Sequence, residues 1–509
     1  MGFHLGAHGI DLGLPSARQA FAKGLSMNSE TLINHPSRLI MKFGGTSVGT
    51  PDALAQVVKI VQTERQNWKQ MVVVISAFSG VTDLLLNTAS QMVTGKSEHL
   101  PTVIDELTRR HHTVAESLIK NPVELAAVKQ DVDTVITGLA SLYRAIAILG
   151  EATPRALDAV AATGERLSVR VLSAAIRTAG IPSEYIEATR LIRSDNHFQD
   201  AHPDFNETRR LVAQELIPVL EQGKIPVVTG FIAATVDGIT TTLGRGGSDY
   251  SAALLGAALP ADDVWIFTDV DGVMTADPRL VPDAFTVPVC SYREISELAY
   301  YGAKVLHPKT IRPVIEAGIG LRVCNTFNPS HPGTRLVAEI ESGKNGVIKA
   351  ITLVRDLKLI TLEGRGMLGV PGVAARTFDA VACANTSVPL ITQASSEQSI
   401  CFAVPSEAAE IVIEMLNRAF AHELERRDID RIWATESVSI ITVVGAGMKS
   451  TPGVAGRVFS LLGSARVNVI AIAQGSSEVS ISLVVNGSED RRALLELHRL
   501  VTQPAPPSA

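Results

Sequence analysis

The chain has 509 residues, which is too long for one ordinary hydrophobic core and indicates about two to four domains. Hydrophobic residues make up 46% of the sequence and charged residues 19%, as in a globular protein, and a net charge of -6 gives no reason to expect nucleic acid or an anionic membrane as a partner. The four cysteines are widely spaced, with no CxxC pair or Cys/His cluster, and no apolar run reaches the roughly 20 residues of a membrane span. We therefore expect a cytoplasmic protein with no disulfide framework and no resident metal site.

The N-terminal segment, residues 1–37, differs from the remainder because Gly, His, Ser and Asn are frequent and no periodicity is sustained. We interpret it as a disordered extension or as the product of a start codon placed too early. Order is predicted to begin with an apolar strand at 38–43, followed by a helix at 51–68 and a buried strand at 71–75. Over 84–149 the apolar spacing is helical.

Strand-like runs recur further along the chain, at 226–229, at 264–268 and more weakly at 321–324, with helical patterns between them. Continuous apolar strands that alternate with helices are typical of a parallel sheet buried on both faces. We therefore predict an α/β fold over residues 38–335, with a doubly wound and mainly parallel sheet. Ligands of such a sheet are expected beyond the carboxyl ends of its strands.

The sequence after about Arg335 contains an internal repeat. The matching pairs, in one ungapped register, are Gly366-Met367 and Gly447-Met448, 371–374 and 452–455, Arg376 and Arg457, Phe378 and Phe459, Gln393 and Gln474, and 395–397 and 476–478. Each copy indicates strand, Gly/Pro turn, amphipathic helix, strand, turn and strand, which is a small α+β domain. The domains expected here are a linker at 336–349, units at 350–430 and 431–501, and a flexible tail at 502–509. Ligand sites are expected where the two units meet.

Three segments of the first part carry residues suited to chemistry. The first follows the first strand, where Lys42 precedes Gly44, Gly45, Thr46 and Ser47. Such glycines let backbone N–H groups approach phosphate oxygens beside a full positive charge. The GxxxxGK[ST] and GxGxxG patterns are absent here, which excludes a P-loop and a Rossmann fingerprint, and a plain tight turn is the structural alternative.

The second segment, residues 244–251, opens a helical run and contains Arg245, Ser248 and Asp249 among glycines. Free backbone amides at a helix N-terminus bind anions, and an arginine beside them can hold a carboxylate through two hydrogen bonds. A helix cap with an acid in its first turn is the structural alternative.

The third segment, residues 268–279, starts at a strand end and is dense in turn formers and acids. The spacing of an EF-hand calcium loop is absent. A loop that contacts a nucleotide fits this place in a parallel sheet, and an acidic surface loop is the structural alternative.

Five motifs in this order resemble the motif series of aspartokinases, which belong to the amino-acid kinase superfamily, and the repeat resembles paired ACT domains. The motifs begin at Lys42 (KFGGTS), Thr163 (TGERLS), Gly244 (GRGGSD), Thr268 (TDVDG) and Gly302 (GAKVLHP). The resemblance covers about residues 38–500. It implies transfer of the γ-phosphoryl group of ATP, with Mg²⁺, to the β-carboxylate of L-aspartate, as the first step of lysine, threonine and methionine biosynthesis.

The resemblance also implies roles for individual positions. Lys42 would contact the transferring phosphoryl group, and Asp249 would organise the cations of the active site. The positions implied to hold aspartate are Thr82, Glu165 for its ammonium, Arg245 for a carboxylate, and Ser248. The positions implied to line the nucleotide site, with Lys42, are Gly44, Gly45, Thr46, Ser47, Thr268, Asp269, Met274, Asp277, Arg279 and Lys304. Met274 stands where many aspartokinases have tyrosine, and a methionine can still pack on an adenine face.

Paired ACT units imply an allosteric amino acid as a further ligand. The residues expected close to it are Gly369, Val370, Gly372, Val373, Gln393 and Gln474, of which the two glutamines can bond a small polar side chain. The string 391–397 resembles threonine-responsive aspartokinases, so threonine is favoured and lysine is the alternative. ACT units commonly pair through sheet edges, so we expect a homodimer or homotetramer. A chain that ends at Ala509 has no room for a dehydrogenase domain, which implies a monofunctional enzyme.

Two other functions are considered. Another amino-acid kinase, with a glutamate-type substrate, is disfavoured by the ACT units and by the Glu165 motif. A catalytically inactive amino-acid sensor is disfavoured because Lys42, Arg245 and Asp249 are all present. For the aspartate reaction no general base is needed, because a carboxylate with a pKa of about 3.9 is already the nucleophile at neutral pH. The site must instead supply cations and oriented amides where two anions meet.

Overall fold

The computed structural model describes residues 37–300, 306, 308–338, 347–393, 398–448, 451–474 and 479–501. Our predictions for residues 1–36, for Lys304, for the repeated residues 395–397 and 476–478, and for the tail at 502–509 lie outside these ranges. The described residues from Arg38 onwards belong to one compact unit.

The first part of the chain alternates strands and helices. Its strands are β1 Arg38–Phe43, β2 Gln70–Ile75, β3 Ser183–Ile186, β4 Arg193–Ser194, β5 Pro203–Asp204, β6 Ile225–Thr229, β7 Ile232–Ala234, β8 Thr240–Thr242, β9 Asp263–Thr268, β10 Val289–Ser291, β11 Gly320–Asn325 and β12 Thr334–Val337. Its helices are α1 Gly45–Val48, α2 Pro51–Glu64, α3 Val81–Val93, α4 Leu100–Leu118, α5 Pro122–Leu149, α6 Pro154–Thr178, α7 Phe205–Glu215, α8 Ile217–Glu221, α9 Gly247–Ala258, α10 Tyr292–Tyr300 and α11 Pro308–Ala317.

An eight-stranded sheet forms the centre of this part, in the order β10-β12-β11-β9-β1-β2-β6-β3. All neighbours are parallel except the antiparallel pair β11–β12. Strand β1 lies in the middle between β2 and β9, and its residues after Arg38 are all buried. The prediction of a doubly wound, mainly parallel sheet is confirmed, and the predicted runs at 226–229, 264–268 and 321–324 are β6, β9 and β11.

The helical stretch predicted over 84–149 is three helices, α3, α4 and α5. The chain turns at Gly95, which has a φ of +78°, and again at Asn121, whose side chain caps α5 ahead of Pro122. By length and composition alone α5 could cross a membrane. Here α5 packs beside α4 and α6, and its buried Tyr143 donates a hydrogen bond to the carbonyl of Leu85 in α3 (2.8 Å).

The second part of the chain contains the internal repeat. Its elements are β13 Ala350–Glu363, α12 Val373–Cys383, β14 Leu390–Gln393, β15 Ser399–Pro405, α13 Ala409–Ala419, α14 Ala421–Arg426, β16 Arg431–Ala434, β17 Val438–Val444, α15 Val454–Ser464, β18 Val469–Ala473, β19 Ser480–Asn486 and α16 Asp490–His498. A sheet runs β14-β15-β13-β17-β19-β18, with β16 beside β13. Each unit also has a second helix, α13 or α16, which the predicted strand and helix pattern did not include.

Strand β13 joins the two units of the repeat. Its residues 350–354 pair with β17 of the second unit, and residues 357–363 pair with β15 of the first. The register shifts between the two halves, next to Asp356 with its φ of +58°. Strand β16 pairs with β13 as well, so it lies with the first unit, although residues 431–434 come after the predicted boundary. Because β13 belongs to both units, the pairing of the strands does not define one boundary between them, and the predicted domain boundaries stay a prediction.

Candidate active site

A pocket of about 650 Å³ opens at the carboxyl ends of β1 and β2. Ligands of parallel sheets bind at this edge. The members of the predicted set that line it are Lys42, Gly45, Thr46, Thr82, Glu165, Arg245, Ser248 and Asp249. The structure therefore brings the first two predicted segments together, although about 200 residues separate them along the chain.

An ion pair joins the two segments inside the pocket. Lys42 Nζ lies 2.7 Å from Asp249 Oδ1, and both side chains are mostly buried. Lys42 is fixed because β1 is hydrogen-bonded on both sides, and Asp249 is fixed in the first turn of α9. The pair holds the lysine ammonium at one place in the pocket.

Glu165 is a buried carboxylate in the wall formed by α6, with 3% of its surface exposed. Its Oε1 accepts a hydrogen bond from the Ala77 backbone N–H (3.1 Å). Its Oε2 is buried and has no hydrogen-bond partner among the described residues. Burial raises the pKa of Glu165 to about 8. An unpaired buried carboxylate oxygen costs free energy, and a cationic group of a ligand would relieve that cost.

Gly164 explains how Glu165 reaches this place. A Cβ at Gly164 would lie 2.6 Å from the Ala77 Cβ, so only glycine lets α6 pack this closely on the loop after β2. The adjacent Glu165 thereby meets the Ala77 N–H.

Arg245 supplies a positive group at the mouth of the pocket. The side chain is exposed and has no hydrogen-bond or ion-pair partner within the described part of the chain. It stands between Gly244 and Gly246, both with a φ of +72°. No side chain caps the N-terminus of α9, which follows directly. A free guanidinium beside uncapped helix amides suits a carboxylate or phosphate.

The remaining predicted nucleotide residues lie outside this pocket. Gly44 follows Lys42 without lining the cavity, and the Ser47 hydroxyl is buried and accepts a hydrogen bond from Thr326 Oγ1 (2.7 Å). The Thr268 hydroxyl donates to the carboxylate of Asp269 (3.1 Å), immediately after β9. The same edge of the sheet therefore carries these residues, beside the pocket rather than in it.

The loop after Asp269 leads away from the pocket. Arg279 is 82% exposed and pairs with Asp277 (2.7 Å), and the Met274 sulfur accepts a hydrogen bond from Thr286 Oγ1 (3.6 Å). Lys304 lies outside the described residues. The assignment of these residues to a nucleotide stays a prediction.

Sequence reasoning missed Asp158, which lines the pocket with 1% of its surface exposed. It lies two helical turns before Glu165, on the same face of α6, and that spacing could have drawn attention to it. It also missed Phe231, a pocket residue with a φ of +67°. No local pattern indicates this backbone conformation in a non-glycine residue.

Four of the predicted effector residues lie in one turn of the first unit, and the two predicted glutamines lie at equivalent places in the two units. Gly369 and Gly372 have φ angles of +69° and +88° in the turn before α12. A pocket of about 180 Å³ beside this turn includes Val370 and Val373 in its lining. The two predicted glutamines, Gln393 at the end of β14 and Gln474 directly after β18, are both exposed.

The fold and the pocket together define a class of protein: an α/β domain with a pocket of acidic and basic side chains at the edge of its sheet, followed by two small α+β units. Residues 37–325 match the Amino acid kinase family. Residues 360–420 and 441–500 each match an ACT domain. The first match covers more than half of the chain, so the chain belongs to the amino acid kinase family.

Several known proteins are similar over most of the chain. The bifunctional aspartokinase/homoserine dehydrogenase 1 of Zea mays is 37% identical over 464 residues, which cover 90% of this chain and 50% of that protein. The aspartokinase of Schizosaccharomyces pombe is 29% identical over 506 residues, which cover 94% of this chain and 95% of that protein. The chain thus spans about half the length of the bifunctional relatives it matches.

Solved structures of aspartokinases are also similar to this chain over most of its length. Escherichia coli aspartokinase III in complex with aspartate and ADP is 28% identical, with a TM-score of 0.75, and the match covers 91% of this chain and 100% of that one. The same enzyme in complex with lysine and aspartate is 29% identical, with a TM-score of 0.75 and coverage of 91% and 99%.

Proposed function

We propose that the chain is an aspartate kinase, which transfers the γ-phosphoryl group of MgATP to the β-carboxylate of L-aspartate and forms 4-phospho-L-aspartate. The observation that carries this proposal is that one pocket holds both a buried acid and two basic side chains. Glu165 offers a buried, unpaired carboxylate oxygen, while Arg245 and Lys42 offer cations. An amino acid with an additional carboxylate has the complementary groups.

The substrate would be held at three points. Its ammonium pairs with Glu165, its α-carboxylate pairs with Arg245, and the hydroxyls of Thr82 and Ser248 bond the remaining oxygens. All four side chains line the pocket. This arrangement leaves the β-carboxylate to face the phosphoryl donor, already ionised at neutral pH.

The phosphoryl group would be received by Lys42 and by the backbone amides of Gly45 and Thr46, all of which line the pocket. A preorganised cation stabilises charge that develops during transfer, and Asp249 keeps Lys42 in place for that purpose. The described residues contain no group of three or more His, Cys, Asp or Glu side chains that could hold a metal ion. Mg²⁺ would therefore enter with the nucleotide, since it commonly binds through phosphates and one or two carboxylates.

The nucleotide would extend from the phosphoryl site at Lys42 over the loop after β9. The residues proposed to contact it there are Thr268, Asp269, Met274, Asp277, Arg279 and Lys304. Support comes from the similar Escherichia coli structure, which holds aspartate and ADP.

The proposal extends to regulation and assembly. The two ACT units would bind an amino acid that controls the kinase, with threonine favoured by the string at 391–397 and lysine as the alternative, because a similar enzyme is known in complex with lysine. The protein would act in the cytoplasm as a homodimer or homotetramer and begin the synthesis of lysine, threonine and methionine.

An aspartyl-hydroxamate assay with MgATP tests the kinase. We expect hydroxamate from L-aspartate and much less from L-glutamate. Product from glutamate alone would indicate a different amino-acid kinase. If neither substrate is turned over while both nucleotide and amino acid bind, the chain is an inactive sensor and the proposal is wrong.

A further inference from the structure

A buried carboxylate in the pocket wall has no part in the roles given above. Asp158 accepts hydrogen bonds at both oxygens: Oδ1 from Thr242 Oγ1 (2.8 Å) and from the Gln199 N–H (3.1 Å), and Oδ2 from the same Gln199 N–H (3.1 Å) and from the Thr242 N–H (3.0 Å). Every donor therefore comes from one of two residues, which lie 41 and 84 positions further along the chain.

These two residues belong to the segments that support Arg245. Thr242 is the last residue of β8, three positions before Arg245. The segment around Gln199 is bonded to the same strand, because the Ala201 N–H donates to the Thr242 carbonyl (2.9 Å). It also packs on Gly244, where a Cβ would lie 2.6 Å from Asp200 Oδ1. The position of the guanidinium thus depends on how these segments are joined.

The backbone at Gln199 needs an external constraint. Its φ of +74° is unusual for a residue with a side chain, and such conformations persist only where surrounding contacts impose them. The N–H of Gln199 donates to both oxygens of Asp158, which is a buried contact that constrains this backbone.

We propose that Asp158 is a positioning residue, which clamps the Gln199 segment to the end of β8 and so holds Arg245 where the α-carboxylate of the substrate binds. The proposal rests on the proposed aspartate kinase activity. It assigns no contact between Asp158 and the reacting atoms.

Asp158→Asn is a sharp test because the amide has the shape of the carboxylate but carries two N–H donors on one side. The Gln199 N–H faces both oxygens, so either orientation of the amide places its NH2 group against that N–H, and the negative charge that the four bonds share is lost. We expect the KM for aspartate to rise at least about tenfold, which corresponds to about 1.4 kcal/mol, while the KM for MgATP stays within about twofold. Thr242→Val, which removes only the hydroxyl bond, should raise the KM for aspartate by a smaller factor. This variant replaces Asp158→Asn as the test if Asp158→Asn does not fold.

A double-variant cycle separates positioning from general damage. If Asp158 acts through Arg245, adding Asp158→Asn to Arg245→Ala should change the KM for aspartate less than about twofold. Asp263→Asn is the matched control: Asp263 accepts bonds from Trp265 Nε1 (2.9 Å) and the Val264 N–H (3.1 Å) at the start of β9, the edge of the sheet opposite the pocket. Its KM values should equal those of the unmodified protein.

Two results would overturn the role of Asp158: fully additive effects in the double variant, or an equal rise in both KM values. Calorimetry of L-aspartate binding to the unmodified protein and to Asp158→Asn gives a reading that does not depend on turnover. Unchanged affinity in Asp158→Asn contradicts the positioning role and leaves the kinase intact. An unmodified protein that binds aspartate without phosphorylating it contradicts the kinase instead.

Discussion

At the scale of single residues, Lys42 and Asp249 show how the pocket could stabilise phosphoryl transfer. The two charged atoms are 2.7 Å apart and both side chains are mostly buried, so the ion pair restricts the position of the ammonium. A carboxylate and a triphosphate repel each other, and a cation fixed in advance lowers the barrier without reorganisation during the reaction.

The first prediction concerns Lys42→Met, which keeps the length of the buried stem and removes the charge. We expect kcat to fall by about 100- to 1,000-fold, because a preorganised charge contributes to the transition state more than to substrate binding. Steady-state kinetics with the hydroxamate assay measure both constants. The exposed Lys59 on α2 gives the control variant, Lys59→Met, which should behave as the unmodified protein. A Lys42→Met enzyme with near-normal turnover would remove Lys42 from the proposed mechanism.

The second prediction concerns the ionisation of Glu165. Because burial raises its pKa to about 8, the empty pocket holds the protonated acid at neutral pH. An ammonium ligand needs the carboxylate, so binding must release that proton. The KM for aspartate should therefore fall as the pH rises from about 6 to about 8, by at most about tenfold per pH unit.

Glu165→Gln is the control for this pH dependence. The variant cannot titrate, so its KM should be high and nearly constant over the same range. The ordinary pKa of a glutamate is about 4.3, and a residue with that value would give no slope between pH 6 and 8. A slope that persists in Glu165→Gln would mean that another group causes it.

The sequence made some of these residues predictable and left others hidden. Lys42 lies near the end of a buried strand and Asp249 lies in the first turn of a helix, and glycine patterns at both places indicate anion sites, so each was expected. Asp158 was not, because its partners Gln199 and Thr242 are distant in sequence and three of its four hydrogen bonds come from backbone N–H groups that any residue carries. A pattern of side chains does not indicate such backbone bonds.

At the scale of elements, the strands were predicted better than the repeat. Strands such as β2, β6 and β9 are continuous apolar runs because both faces of the sheet are covered. The second helix of each unit, α13 or α16, was missed because the repeat was traced only through its identical residues, which end near Glu397 and Glu478. The shared strand β13 could not be foreseen either, since a long strand with a bulge is a product of pairing on two sides.

Helix α10 links the sheet of the kinase part to the second unit. Glu294, in its first turn, is fully buried and pairs with Lys349 Nζ (3.0 Å) ahead of β13. The same carboxylate accepts bonds from the Ser291 N–H (2.8 Å) and the Ala446 N–H (2.7 Å). One further turn along, Glu297 accepts a bond from Ser480 Oγ of β19 (2.7 Å).

The third prediction follows from the burial of this ion pair. Glu294→Gln leaves the Lys349 charge buried without a counter-ion and turns an amide donor toward one of the backbone N–H groups. We expect the free energy of unfolding to fall by roughly 3 to 5 kcal/mol, as measured by urea denaturation. The exposed pair Arg312–Glu316 offers the control, because Glu316→Gln should leave the denaturation midpoint unchanged. Equal midpoints for both variants would show that the Glu294 cluster adds nothing to stability.

At the scale of the whole molecule, the second unit touches the loop proposed to bind the nucleotide. The Ile351 N–H of β13 donates to the Thr275 carbonyl (2.8 Å), and Thr275 Oγ1 lies 2.9 Å from His498 Nε2 of α16. The Phe285 N–H donates to the same hydroxyl (3.1 Å). A change in the ACT units thus has a direct route to residues 268–279.

Coupling by this route requires a ligand that binds one arrangement of the units better than another. Gln393 and Gln474 stand at equivalent ends of β14 and β18, exposed and able to bond a small polar side chain. The two units share β13, so a ligand that moved either unit would also move the strand that carries Ile351.

The fourth prediction therefore concerns the effector. Saturating L-threonine should lower hydroxamate formation by roughly 5- to 150-fold, the range of ordinary allosteric coupling. Gln393→Ala and Gln474→Ala should each raise the threonine concentration needed for half inhibition, with no change in the KM for aspartate when threonine is absent. Gln91→Ala, at an exposed position on α3, is the matched control and should keep normal inhibition.

Inhibition by lysine instead of threonine would make the choice of effector wrong while leaving the route through Thr275 in place. Normal threonine inhibition in both glutamine variants would show that the effector binds elsewhere on the ACT units.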